Sequence, residues 1–229
     1  MNWEEYNLEW NAPISNREEK ERLAERIAEK VQDGDVIGFG SGSTSYLAAK
    51  AIAKRVHDEK LDITAVPTSY EIDLLCGSLG IKTAGIDKVK PDWSFDGTDE
   101  YDENGWLIKG RGAAMFKEKL NIINSGRVYI LADSSKEVTH LGSNFSVPVE
   151  CFPAAYRYVG QELIKLGADS CNLRAAKGKD GPIITENGNF IIDTKFSNIN
   201  EDLEKEIKLI PGVIESGLFI GYDNIEILN

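Results

Sequence analysis

The chain has 229 residues, of which 41% are hydrophobic and 28% charged, so it can bury a sizeable core and is not an intrinsically disordered chain. Its formal net charge of −12 repels nucleic acid and anionic membranes, so an anionic ligand needs a local positive site. No window approaches the roughly 18 apolar residues of a membrane span, and the acidic start lacks the layout of a signal peptide. We therefore expect a cytoplasmic protein that binds neither nucleic acid nor membrane.

Cysteine and histidine are too scarce to indicate a metal or redox centre. The three cysteines lack metal-type or redox-type spacing, which predicts reduced thiols. Neither His57 nor His140 has a partner at helix-face spacing, which argues against a zinc site and a histidine-based triad. Any acid–base chemistry is therefore expected from carboxylates and lysines.

Helices and strands alternate through the first part of the chain. The predicted elements are a helix at 17–31 capped by Asn16 or Ser15, a strand at 35–39, a turn at 40–45, a helix at 46–56, a strand at 62–66, a helix at 69–80 closed by Gly77 or Gly80, a strand at 92–95, a helix at 113–123 and a strand at 127–132. This alternation predicts a mostly parallel sheet covered by helices on both faces.

The pattern changes near residue 146. Apolar runs at 147–152, 171–176, 182–188 and 189–196, with a helix at 154–167 and a hairpin turn at Asn187-Gly188, predict an antiparallel α+β module. A last helix is expected at 199–212, followed by short strands that could return to the main sheet. The fold class is therefore α/β, with a Rossmann-like domain over 1–145 and 212–229 and a smaller α+β lobe over 146–211.

A glycine-serine loop, "GFGSGSTS" at 38–45, follows an apolar strand and opens a helix. Backbone N–H groups and the helix dipole converge on an anion at such a junction, so the loop can hold a phosphate. The spacing lacks the third glycine of a dinucleotide fingerprint and the Gly-Lys-Ser/Thr of a P-loop. A plain tight turn with a helix cap is an equally good interpretation of this loop alone.

The most charged segment is "DGTDEYDENGWLIKGRGAAMFKEKL" at 96–120. Asp96 and Asp99 follow a strand, at the edge where open parallel sheets bind ligands. After a turn at "DENG", Lys109 opens a second glycine-rich junction, whose N–H groups can face a developing oxyanion. Glu118 lies in the next helix. Taken singly, these charges are also typical of turns and solvated helix faces.

Several motifs occur in the order and approximate spacing of one known family. They are "SGSTS", the segment at 96–119, "ADSSK" and "PVE", followed by "LIKLGADSCNLR", "TENGNFIID" and "IPGVIESGLF". Across nearly its whole length the chain resembles the ribose-5-phosphate isomerase family, type A. The resemblance implies interconversion of ribose 5-phosphate and ribulose 5-phosphate, no metal or organic cofactor, a small-molecule sugar phosphate as ligand, and a homodimer or homotetramer.

The resemblance also assigns the site residue by residue. It implies that Glu118 is the proton-transfer base, that Lys109 stabilises the enediolate oxygen, and that Asp96 and Asp99 assist ring opening and hydroxyl proton transfer. The implied substrate-binding positions are Ser41, Gly42, Ser43, Thr44, Gly97, Thr98, Gly110, Arg111, Gly112, Lys136 and Lys20. Arg111 stands where the family usually has glycine, Thr98 where it usually has alanine, and Ser41 where it usually has threonine.

Two other functions use a similar sheet. A non-catalytic sugar-phosphate sensor would keep the phosphate loop without needing Glu118 and Lys109, and no DNA-binding helix pair or basic stripe accompanies them. A coenzyme A transferase or sugar-phosphate deaminase cannot be excluded by fold alone. The "DGTDE" and "KGRGAA" motifs favour the isomerase.

Overall fold

The computed structural model of the protein describes residues 9–10 and 12–229; residues 1–8 and 11 of the acidic leader lie outside the described part. The helices are α1 Arg17–Ala28, α2 Ser43–Glu59, α3 Tyr70–Ser78, α4 Met115–Asn124, α5 Tyr156–Lys165 and α6 Leu203–Lys208. The strands are β1 Val36–Phe39, β2 Thr64–Pro67, β3 Lys82–Thr83, β4 Trp93–Gly97, β5 Glu100–Tyr101, β6 Leu107–Ile108, β7 Arg127–Leu131, β8 Val147–Cys151, β9 Ala168–Leu173, β10 Phe190–Phe196, β11 Val213–Ser216, β12 Leu218–Phe219 and β13 Ile225–Leu228.

The chain divides into two units. The first comprises the described residues up to Gly97, Lys117–Ser135 and Asp223–Asn229, and the second comprises Thr98–Phe116 and Lys136–Tyr222. The domain boundaries expected from the sequence remain a prediction about which segments fold independently.

The first unit contains a six-stranded sheet in the order β13-β7-β4-β1-β2-β3. Every pairing in this sheet is parallel. The return of β13 beside β7 agrees with the prediction that closing strands could rejoin the main sheet, whereas β11 and β12 of the same segment pair with β8 and β6 in the second unit. Because the carboxyl ends of parallel strands meet at one edge, the ends of β1 and β4 lie side by side there.

Helices cover both faces of this sheet. Side chains alternate along a strand, so Ile37 and Phe39 of β1 point to one face and Gly38 to the other. Ile37 and Phe39 join a buried apolar cluster with residues of α1 and α2, while a Cβ on Gly38 would lie 3.0 Å from the Asn121 amide of α4. The same Cβ would collide first with the Ser94 side chain of β4, so Gly38 leaves room for both Ser94 and the Asn121 side chain of α4.

The second unit is built on antiparallel pairing. Its four-stranded sheet has the order β11-β8-β10-β9, and a three-stranded sheet has the order β12-β6-β5. Helix α5 buries Val159 and Leu163, and α6 buries Leu203 and Ile207. These side chains form one apolar cluster with residues of the four-stranded sheet. The predicted class, a Rossmann-like mostly parallel sheet with helices plus a smaller α+β lobe, is confirmed.

Several local predictions were wrong. Asn16 occupies the N-cap position of α1, but its side chain bonds to Asp133 instead of the helix backbone, and α1 ends at Ala28 instead of Val31. The turn at Asn187-Gly188 does not join two strands, because residues 183–189 form no strand and β10 pairs with β9 and β8. Helix α6 covers six residues of the fourteen expected.

Within the described residues, no helix is long and apolar enough to cross a membrane.

Candidate active site

In the first unit, the carboxyl ends of β1 and β4 lie together, with Phe39 and Phe95 in register. A Cβ on Gly40 would lie 2.2 Å from the carboxyl carbon of Asp96, so the glycine provides the space that this carboxyl group occupies. A Cβ on Gly97 would lie 3.8 Å from the Thr44 side chain. The structure therefore brings Asp96 and Gly97 next to the glycine-serine loop, at the edge that the strand pattern indicated.

The glycine-serine loop turns sharply into α2. Gly42 has a φ of 90°, a left-handed conformation that favours glycine, and α2 begins at Ser43. The Ser41 hydroxyl contacts the hydroxyls of Thr68 and Ser69, each at 2.7 Å. Ser41 thus ties together the loops after β1 and β2, and Ser43 and Thr44 lie in the first turn of the helix, where anions bind.

Lys20 supplies a buried positive charge beside this loop. Its side chain is 4% exposed, and its Nζ lies 3.5 Å from Ser43 Oγ and 3.2 Å from Ser15 Oγ. The same ammonium forms an ion pair with Asp133 Oδ2 at 3.6 Å. The early lysine implied by the resemblance is therefore in contact with the loop it was expected to assist.

Asp133 orients Lys20, and the sequence reasoning missed it. Its Oδ1 accepts hydrogen bonds from Asn16 Nδ2 at 2.8 Å and from the Ser135 N–H at 3.1 Å. Burial alone would raise the pKa of this carboxyl group, but the bonds from Ser135 and Asn16 and the charge of Lys20 together lower it below its usual value. The motif "ADSSK" contains both Asp133 and Lys136, and the resemblance assigns a role only to Lys136.

Glu118 lies in the first turn of α4 and is 5% exposed. It shares a helix face with Asn121, three residues later, whose amide donates to the Val66 carbonyl at 2.8 Å and so faces the sheet. Its neighbour Lys117 instead places Nζ 4.8 Å from the centre of the Tyr70 ring. Glu118 is therefore buried, unlike the solvated helix residue that its flanking lysines would suggest.

In the second unit, Thr98 and Asp99 begin the segment that follows β4. The Thr98 hydroxyl donates to the carbonyls of Glu100 and Ile108 at 2.7 and 3.0 Å, so it faces the protein. The Asp99 carboxylate accepts the Arg111 N–H at 3.0 Å, which links the two charged motifs. Arg111 itself is exposed.

Lys109 is the most buried cation of the second unit, at 3% exposure. It follows β6, its N–H donates to the Gly217 carbonyl at 2.9 Å, and its Nζ lies 5.9 Å from the centre of the Phe219 ring. Gly110 has a φ of 106°, and a Cβ there would meet Met115 and Pro148 at 2.8 and 3.0 Å. Helix α4 begins at Met115, so residues 110–113 form a turn before the helix and not its first turn.

Lys136 ends a short 3-10 helix, and its Nζ lies 5.5 Å from the centre of the Phe145 ring. The loop that carries Phe145 is held by Glu100, which is fully buried. The Glu100 carboxylate accepts the N–H groups of Gly142, Asn144 and Phe145. The sequence assigned no role to Glu100, because it stands among other acidic residues in a two-residue strand and nothing local distinguishes it.

The positions predicted for the site thus lie in both units. Lys20, Ser41, Gly42, Ser43, Thr44, Asp96, Gly97 and Glu118 belong to the first, and Thr98, Asp99, Lys109, Gly110, Arg111, Gly112 and Lys136 to the second. Four of the charged members are nine-tenths or more buried, which is rare for ionisable side chains without a specific role.

Comparison with known proteins identifies the family. The sequence profile of ribose 5-phosphate isomerase A (phosphoriboisomerase A) matches residues 64–228. A ribose-5-phosphate isomerase A of Methanothermobacter thermautotrophicus is 41% identical over 204 residues, covering 88% of this chain and 89% of that protein.

Solved structures agree with the sequence comparison. The ribose 5-phosphate isomerase A of Methanocaldococcus jannaschii superimposes with a TM-score of 0.89 at 38% identity, covering 93% of this chain and 95% of that chain. A D-ribose-5-phosphate isomerase in complex with phospho-erythronic acid has a TM-score of 0.88 at 39% identity, covering 92% and 94%. The chain belongs to the ribose 5-phosphate isomerase A family, a family of isomerases.

Proposed function

We propose that this protein interconverts D-ribose 5-phosphate and D-ribulose 5-phosphate. Membership of the isomerase family carries this proposal. The relative in complex with phospho-erythronic acid supports a phosphorylated sugar as ligand. The carboxylate of such an acid shares its charge between two oxygens, as a cis-enediolate does.

The reaction moves one proton between two carbons. A base removes the proton from C2 of the open-chain aldose, the C1–C2 enediolate forms, and the same proton is returned to C1, while a proton from the C2 hydroxyl passes to O1. Glu118 is the base for both carbon steps. Its burial supports this role, because ionisable side chains are rarely buried without a specific function.

The oxygen that becomes negative needs a positive partner. Lys109 supplies that charge from a buried position, together with backbone N–H groups of the 110–112 turn. Asp96 assists opening of the sugar ring, and Asp99 carries the hydroxyl proton from O2 to O1. The Arg111 N–H already binds Asp99, so it orients this carboxylate, and the Gly112 N–H is the donor proposed for the oxyanion.

The phosphate group binds at the start of α2. Ser43, Thr44 and the N–H groups of the first helical turn donate hydrogen bonds to its oxygens, and Lys20, in contact with Ser43, places an ammonium group beside them. Lys136 is the second phosphate-binding lysine. These cations provide the local positive site that a chain of net charge −12 requires.

We further propose that the protein is a homodimer or homotetramer, which light scattering after size-exclusion chromatography would establish.

One assay tests the reaction and its independence of metal. The purified protein is incubated with ribose 5-phosphate in excess chelator, and formation of the ketose is followed. Ketose should accumulate to equilibrium at the rate seen without chelator. Binding of ribose 5-phosphate by calorimetry without any turnover would instead identify a sensor, and turnover only after metal is added would contradict the cofactor-free mechanism.

A further inference from the structure

Arg174 contacts the turn that carries two of the proposed site residues. Its guanidinium Nη1 donates to the carbonyl oxygens of Gly110 and Arg111 at 2.9 and 3.0 Å. Arg174 itself was given no role by the sequence. An arginine that binds two successive main-chain carbonyls fixes the orientation of both peptide groups, because its planar donors have a rigid geometry.

Asp193 holds the guanidinium in place. Arg174 Nε donates to its Oδ1 and Oδ2 at 3.1 and 2.9 Å, and Nη2 completes a bidentate pair. The two side chains are 17% and 30% exposed, so water screens the pair only in part. Asp193 lies within β10, and the Arg174 N–H donates to the Ile191 carbonyl of the same strand at 2.9 Å. The pair therefore stands on the four-stranded sheet, a rigid base.

The turn needs such support because its backbone is unusual. Gly110 has a φ of 106° and Ala113, which is not a glycine, has a φ of 61°. An alanine in the left-handed region costs about 1–2 kcal/mol. Inside the turn, the Ala113 N–H bonds to the Gly110 carbonyl at 3.0 Å.

The direction of the carbonyls decides the direction of the donors. In a trans peptide group the N–H points opposite to the C=O. Because the Gly110 carbonyl points at Arg174, the Arg111 N–H points away from it, and it is this N–H that binds Asp99. By the same geometry, the Arg111 carbonyl bound to Arg174 directs the Gly112 N–H away from the guanidinium.

We propose that Arg174, held by Asp193, is a positioning residue for the reaction. It fixes the two peptide groups of the 110–112 turn so that one N–H orients Asp99 and the next is presented to the oxyanion. This inference rests on the isomerase function proposed above. Because Arg174 acts through the carbonyls of the 110–112 turn, its loss should affect turnover more than substrate affinity.

The test compares Arg174→Gln, Arg174→Lys and Asp193→Asn with the exposed control Arg157→Gln from α5. Arg174→Gln should lower kcat about 10- to 100-fold with KM for ribose 5-phosphate changed less than threefold, since a displacement of about 1 Å costs about that much. Arg174→Lys keeps the positive charge but lacks the planar set of donors, so its kcat should remain well below that of wild type. Arg157→Gln should equal wild type. Free guanidinium at millimolar concentration should restore part of kcat in Arg174→Ala.

A second measurement is independent of activity. Amide hydrogen exchange at Arg111 should be faster in Asp193→Asn than in wild type, while amides of β8 keep their protection. If wild type turns over ribose 5-phosphate and the Arg174 and Asp193 variants match it in kcat and in exchange at Arg111, the positioning role is wrong. If wild type gives no ketose, the proposed function itself fails.

Discussion

Single residues show most clearly where charge has been placed inside this protein. Lys20, Asp96, Lys109 and Glu118 are each at most 5% exposed. The motifs predicted that these four side chains belong to the site. They did not predict that the side chains are buried, because burial depends on the packing of segments far apart in sequence. Lys20 and Asp133, for example, are brought together across more than a hundred residues.

The Lys20–Asp133 pair makes a prediction about pH. The folded-state pKa of Asp133 lies below the unfolded value of about 3.9, so its stabilising contribution is fully present above that pH and is lost as the pH falls through the folded-state pKa. Asp133→Asn should lower the free energy of unfolding by about 1–3 kcal/mol at pH 7. The difference from wild type should shrink below pH 4.

Urea unfolding at pH 7, 5, 3.5 and 2.5 measures this difference. Asp62→Asn is the matched control, because Asp62 also pairs with a lysine but its side chain is 70% exposed, and it should change stability by less than about 1 kcal/mol. A constant difference between Asp133→Asn and wild type across the whole range would refute the assigned pKa direction.

At the level of elements, glycines decide how closely strands and helices approach at the site. Gly40, directly after β1, is close enough to β4 that an added Cβ would lie 2.6 Å from the Asp96 Cα and 2.2 Å from its carboxyl carbon. The sequence indicated a loop of small residues here. It did not show that Gly40 makes room for the Asp96 carboxylate on the neighbouring strand.

Gly40→Ala should therefore destabilise the protein by about 1–3 kcal/mol or more and displace Asp96, with a loss of turnover. Gly77→Ala in α3 is the control, since a Cβ there meets no atom within 4 Å and alanine favours a helix. Thermal unfolding and turnover of both variants are measured. Equal behaviour of the two substitutions would contradict the close approach at Gly40.

The loop at 142–145 depends on a single carboxylate. Glu100→Gln keeps the shape but replaces one acceptor oxygen with a donor that faces main-chain N–H groups, so it should cost about 2–3 kcal/mol of folding free energy. Glu103→Gln, in the exposed turn just after β5, should be neutral. Chemical denaturation of the two variants checks this, and a stable Glu100→Gln protein would show that the loop is held in another way.

The elements with long periodic patterns were predicted best. The helices and strands of the parallel sheet lie within a few residues of their predicted positions, because hydrophobic period and glycine punctuation define them locally. The pairing of β10 was mispredicted. Asn187-Gly188 does form a turn, but it lies within the long connection 174–189. Strand β10 therefore pairs with β9, at the far end of that connection, and not with the segment just before the turn. The two-residue strands β3, β5, β6 and β12 carry too little pattern to predict.

For the whole molecule, the family could be predicted because several motifs recur in one order, whereas the arrangement around the motifs could not. Arg174, Asp193 and Asp133 orient predicted site residues through contacts between segments distant in sequence. In the sequence, these three residues are ordinary charged residues in or beside strands. The sequence motifs therefore indicate the side chains proposed for the chemistry, but they do not indicate the side chains that keep those residues in position.

The proposed cofactor-free isomerisation of ribose 5-phosphate depends on proton transfer by Glu118. The most direct measurement is the steady-state rate of ketose formation by wild type, Glu118→Gln and the exposed helical control Glu206→Gln, with ribose 5-phosphate affinity measured by calorimetry. Glu118→Gln should lose roughly 100- to 10,000-fold in kcat while retaining affinity, and Glu206→Gln should match wild type. Turnover by Glu118→Gln within a few fold of wild type would show that Glu118 is not the proton-transfer base.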